Sequence, residues 1–145
     1  GFAIIPNKEL REPFEKEMHH LRLHVGSMGL HAAHAAFSGQ CDSWLKELNT
    51  YLTGNRDFLV DYVTKYMPNV RTTVPDATYL GWLDFTQTNI QESPFDFFLK
   101  NAKVFLSDGK IFGKAGEGHV RINFGTSRKL LKEGLDKMNK ALSKV

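Results

Sequence analysis

The spacing of apolar residues along the chain switches from near four to two and back, and the switches mark out the elements. Gly1-Phe2-Ala3-Ile4-Ile5-Pro6-Asn7 reads as a short buried strand ending at Pro6. An apolar strand as the first element needs neighbours for its backbone and side chains, which is a first hint of a piece cut from something larger. Asn7 can cap a helix in which Leu10, Phe14, Met18, Leu21 and Val25 form one apolar stripe. Gly26-Ser27-Met28-Gly29 breaks that helix, and a short Ala-rich one is expected from Leu30 to Phe37. Trp44, Leu48, Tyr51, Phe58, Tyr62 and Tyr66 then keep helical phase from Gln40 to Met67. Such a helix is about 40 Å long, better suited to bridging two lobes than to closing one small core. Gly54 in its middle marks either a bend or a close packing contact.

After Pro68 the period becomes two. Val70–Val74 and Thr78–Phe85 read as strands joined by the turn pair Pro75-Asp76. Ser93-Pro94-Phe95-Asp96 is a helix start, with Phe95, Phe98, Leu99, Ala102 and Phe105 inside and Asp108-Gly109 as the stop. Lys110–Phe112 and His119–Phe124 are expected as strands around the glycine-rich run 113–118, and a final helix from Ser127 should bury Leu131, Leu135, Met138 and Leu142. The order β-β-α-β-β-α suits an α/β architecture, a two-layer α+β sandwich with helices on one face of a small sheet.

Composition narrows the functional classes. The 145 residues are 41% hydrophobic and 24% charged, which excludes a disordered chain. The single Cys41 excludes an internal disulfide or a cysteine-based metal site. No apolar run is long enough to span a membrane and no signal peptide is visible, so no membrane partner and a cytoplasmic location are expected. The net charge of +3 is concentrated in the last helix, where six cations face two acids. That is a solvated helix face rather than a basic groove with interleaved aromatics, and nucleic acid is not an expected partner. The run Gly113-Lys114-Ala115-Gly116-Glu117-Gly118 is spaced G-x-x-G-x-G and is followed by a strand, so it reads as a flexible hairpin turn rather than a phosphate loop. His24, His31 and His34 share a face but lack an intervening carboxylate, and no metal is assigned to them. Cys41, at a helix start, has no base beside it in sequence. No catalytic residue is assigned.

Arg121 stands apart. Alternation in His119-Val120-Arg121-Ile122-Asn123-Phe124 puts His119, Arg121 and Asn123 on one face and Val120, Ile122 and Phe124 on the core face. Such an arginine is either an ordinary solvent-facing residue or a guanidinium fork aimed at a planar anion, for which a carboxylate is the natural match.

Five phrases, GFAIIPN (1–7), LTGNRD (52–57), VPDATYLGWLDF (74–85), SDGKIFG (107–113) and GHVRINFGTSR (118–128), decide how the chain is read as a whole. Together they resemble the C-terminal part of fold-type I pyridoxal-phosphate enzymes, in the cystathionine β-lyase and aminotransferase branch known as PatB/MalY-like. The resemblance implies a remnant of a large cofactor-binding domain over 1–39, a bridging helix over 40–67 and a C-terminal small domain over 68–145. It implies that the Schiff-base lysine and the residues that hold the cofactor ring lie upstream of Gly1, so that pyridoxal 5′-phosphate serves the intact enzyme and this chain alone is inactive. Lys8 and Lys46 are given no such role. It further implies that Arg121 grips the α-carboxylate of an amino-acid or thioether substrate, and that Ser27 approaches the cofactor across a homodimer. His119 and Gly81 depart from the family's usual apolar residue and alanine. An independent small binding or interaction domain is the alternative reading.

Overall fold

In the computed structural model, which describes residues 2–145, Asn7 opens the first helix by accepting a hydrogen bond from the Glu9 N–H at 2.8 Å. This helix, α1 (Lys8–His20), carries Pro13 inside it and ends at Leu21, after which Arg22 takes a positive φ of 52°. Helix α2 (Ser27–Phe37) begins three residues earlier than the glycine spacing predicts. Gly26 is its N-cap and Gly29 falls in its first turn, where backbone N–H groups lack intrahelical partners anyway, so glycine there does not stop the helix. The expected strand before α1 is absent: residues 2–6 carry no strand, Phe2 and Ile4 are exposed, and Gly1 lies outside the described residues. Arg11 Nη1 instead donates to the carbonyls of Ile5 at 3.0 Å and Pro6 at 3.3 Å, so a side chain meets part of the backbone demand that a strand partner would otherwise meet. The stripe on α1 is also uncovered, with Leu10, Phe14, Leu21 and Val25 exposed. Contacts group these elements as one unit, Gly1–Leu45, and the rest as a second, Lys46–Val145.

Helix α3 (Asp42–Tyr66) is nearly as long as its apolar phase predicts. Gly54 in its middle is a close packing contact, since a Cβ there would stand 3.1 Å from Arg128 Nη2. Its buried residues are Asn55, Leu59, Tyr62 and Val63, whereas Trp44, Tyr51 and Tyr66 of the expected stripe are exposed. Aromatic residues with polar tips or large rings keep helical phase without being core, and only Tyr62 of the expected set is fully covered.

Four strands form an antiparallel sheet in the order β1-β2-β4-β3: β1 (Arg71–Thr72), β2 (Leu80–Asp84), β3 (Ser107–Asp108) and β4 (His119–Asn123). The turn at Pro75-Asp76 does join an antiparallel pair, with Arg71 opposite Asp84 and Thr72 opposite Leu83. Helix α4 (Pro94–Asn101) stops well short of Asp108-Gly109. Ala102 ends it and Lys103 at φ 55° turns the chain, leaving Phe105 exposed. This early stop displaces the next strand: Ser107–Asp108 pairs with β4, and Lys110–Phe112, expected to be a strand, lies in a 3-10 turn over Gly109–Phe112. A second 3-10 turn, Lys114–Gly116, replaces the expected flexible hairpin turn. Helix α5 (Arg128–Leu142) is capped by Ser127, whose side chain accepts from the Leu130 N–H.

One core fills the second unit. Leu83, Phe85, Val120, Ile122 and Phe124 from the sheet meet Leu59 and Val63 of α3, Phe97 and Phe98 of α4, and Leu131, Leu135 and Met138 of α5. The strand alternation expected for β4 holds, and the helices lie on that single face, which is the two-layer α/β arrangement expected.

Candidate functional site: the open face of the sheet

Because residues directly opposite in an antiparallel pair share a face, the register lays two cross-strand rows on the side away from the core. Ser107, Arg121 and Trp82 form one; His119, Asp84 and Arg71 form the other. The short β3 brings Ser107 beside Arg121, whose Nη2 donates to Ser107 Oγ at 3.3 Å. Phe112, at the end of the first 3-10 turn, lies under the guanidinium with its ring centroid 4.5 Å from Arg121 Cζ. Trp82 meets the Phe112 ring edge-on at 5.6 Å and 73°, and stacks on His119 at 5.6 Å and 22°. Arg121 Nε is buried and has no hydrogen-bond partner, and among the described residues no carboxylate lies within 4 Å of the guanidinium.

The second row is electrostatically closed. His119 Nδ1 lies 2.8 Å from the Glu117 carbonyl and its Nε2 is 3.7 Å from Asp84 Oδ1. Burial alone would raise the Asp84 carboxyl, but hydrogen bonds from Thr86, aided by His119 and Arg71, overcome that and hold it below the usual range. Asp84 thus satisfies its own row and leaves Arg121 without a counter-ion. A half-buried arginine lacking one can bind a planar anion from outside with little further loss of hydration.

In the first unit, Ser27 is the exposed first residue of α2. His31 and His34 lie exposed on α2, and Cys41 is exposed before α3. Among the described residues no three His, Cys, Asp or Glu side chains are grouped to hold a metal ion, and no helix is long and apolar enough to cross a membrane. Sequence reasoning missed Phe112, Trp82 and Ser107. Alternation along β2 would have put Trp82 beside Arg121, but the placement of Phe112 depends on a 3-10 turn that leaves no periodic signal.

Solved structures that superpose on this chain place it in the pyridoxal-phosphate-dependent transferase fold. The chain belongs to the aminotransferase class I and II family, which matches residues 1–138. It is similar to cystathionine beta-lyase PatB of Bacillus subtilis, 34% identical over 142 residues, covering 97% of this chain and 36% of that protein. Cystathionine beta-lyase of Corynebacterium glutamicum is 37% identical over 118 residues, covering 81% of this chain and 31% of the relative. Among solved structures, the PLP-bound C-S lyase from Staphylococcus hominis superposes with a TM-score of 0.81 at 34% identity, over 96% of this chain and 36% of that one. The chain spans about a third of the length of the curated relatives it matches.

Proposed function

We propose that this chain is the C-terminal part of a pyridoxal-phosphate-dependent C–S β-lyase or aminotransferase acting on amino-acid thioethers of the cystathionine kind, and that Arg121 is its grip on the substrate α-carboxylate. The observation that carries the reading is a half-buried guanidinium with no carboxylate partner, its Nε already stripped of water, on an open sheet face. The names of the relatives favour the lyase. The donors on this face fit the substrate side of such a site rather than covalent attachment of the cofactor. Lys8 is exposed and 3.5 Å from Glu12, and Lys46 is exposed on α3, so neither is assigned a bond to it.

Bound pyridoxal phosphate supplies the electron sink that stabilises charge as an amino acid loses its α-proton and a β-thiolate. The part of this chain is orientation. A two-point grip on the carboxylate would fix the torsion about Cα and so present the Cα–H bond in a single orientation. No lysine of this chain is given the part of taking the proton. The resemblance divides the chain into a large-domain remnant over 1–39, a bridging helix over 40–67 and a small domain over 68–145, working as a cytoplasmic homodimer with Ser27 near the partner's cofactor.

In the full-length enzyme, Arg121→Ala should lower kcat/KM for L-cystathionine by roughly 100-fold or more, the loss of two charge-assisted hydrogen bonds, while Arg121→Lys recovers only part. The 145-residue chain supplied with pyridoxal phosphate should release no pyruvate from L-cystathionine. Unchanged kcat/KM in Arg121→Ala, or pyruvate release by the chain alone, would sink the assignment.

A further inference from the structure

We propose that Phe112 is a positioning residue for Arg121, held in place by the close backbone approach of Gly109 and Gly116; this rests on the reading of Arg121 as the carboxylate grip. An arginine side chain has several freely rotating bonds, and a fork that binds a carboxylate at two points must be presented in one plane. Ser107 Oγ holds Nη2 at 3.3 Å, which fixes one corner of the fork but not its plane. The Phe112 ring fixes the plane, lying 4.5 Å from Cζ. This contact spends no hydrogen-bond donor. Cζ lies over the ring; a guanidinium laid flat there keeps its in-plane N–H groups free, so the ring shields one face from water without closing the carboxylate edge.

Phe112 is a costly choice for anything else. It is about half exposed, belongs to no core cluster, and its aromatic neighbour is Trp82, itself on the Arg121 row. Its location is nevertheless tightly specified. A Cβ on Gly109 would collide with the Gly116 carbonyl oxygen and stand 2.6 Å from that of His119, and a Cβ on Gly116 would collide with the Gly109 carbonyl oxygen. The two 3-10 turns therefore lie backbone against backbone, next to the start of β4. Asp108 caps the first through the Lys110 N–H at 3.1 Å, and Gly113 at φ 117° turns the chain between them. The glycine-rich run thus ties Phe112 to the strand that bears Arg121.

Phe112→Leu in the full-length enzyme should raise KM for an amino-acid thioether about tenfold with kcat within about twofold, and Phe112→Tyr should restore KM. In an Arg121→Ala background Phe112→Leu should add nothing. In the 145-residue chain, the Arg121 Nε–H resonance should be ring-current shifted and slow to exchange. Phe112→Leu should move it and speed its exchange while the Val120 and Ile122 amide signals stay in place, and Phe112→Tyr should leave it unmoved. The proposal is overturned if Phe112→Leu leaves KM unchanged while Arg121→Ala impairs it, if Phe112→Tyr is no better than Phe112→Leu, or if the Arg121 resonance ignores the substitution. Failure of the underlying reading looks different: Arg121→Ala itself would leave KM unchanged, which removes the premise.

Discussion

Asn55 shows how one buried side chain can stand in for a stretch of backbone pairing. Fully enclosed on α3, it donates from Nδ2 to the carbonyls of Phe124 at 2.9 Å and Thr126 at 2.7 Å, and its Oδ1 accepts from Arg128 Nε at 2.7 Å. The Arg128 guanidinium also lies over the Phe58 ring at 4.6 Å, and its backbone N–H donates to the Tyr51 hydroxyl at 2.8 Å. The segment that leaves β4 is irregular, so its carbonyls have no ladder to enter, and one amide satisfies two of them. Asn55→Ala would leave those groups buried without partners and should cost roughly 2–4 kcal/mol, read as a lower urea midpoint at unchanged slope. A neighbouring polar pair is tuned in a similar way. Burial raises the Tyr62 hydroxyl far above its ordinary value, reinforced by its hydrogen bond to Asp136 at 2.7 Å, while Lys132 and then Tyr62 hold the Asp136 carboxyl low.

Among the elements, the strands and helices with an unbroken period were the legible ones. Alternation through His119–Phe124 placed every core residue of β4 correctly, and the spacing of Leu131, Leu135 and Met138 did the same for α5. Position 142 was the exception: Ala141 is buried in full and Leu142 in part, because the stripe rotates by one residue at the last turn. Legibility ended where an element is set by contact rather than by period. Nothing local announces that α4 stops at Asn101, since Phe105 continues the apolar spacing; the turn at Lys103 and the pairing of Ser107 with Arg121 decide it. The same holds for residues 109–116, whose geometry follows from two glycines that meet in space seven residues apart. Gly116→Ala forces a methyl group against backbone that cannot yield, and should lower stability by roughly 1–3 kcal/mol, with a correspondingly lower melting temperature. Gly134→Ala on α5, where a Cβ meets nothing within 4 Å, is the matched control and should be neutral or stabilising.

For the molecule as a whole, the contrast between its two units governs behaviour in solution. The unit Lys46–Val145 encloses the entire core, whereas no described residue of the other unit is buried, and Phe2, Leu10, Leu23, Val25, Met28 and Phe37 are all exposed. Helices without a covered face draw little stability from packing and depend on propensity, which at 13 and 11 residues is marginal. Amide hydrogen exchange should therefore be fast through α1 and α2 and slow in β2, β4 and the buried stretches of α3 and α5. Equal protection in both units would contradict this division.

The sheet carries its long strands at the centre and its shortest at the margins, since β1 and β3 contribute two residues each. A rim so brief offers a foreign polypeptide almost no backbone to zip onto. Crowded copies of this chain should accordingly adhere through the exposed apolar side chains of residues 8–37 and dissolve again in mild detergent, rather than grow into fibrils.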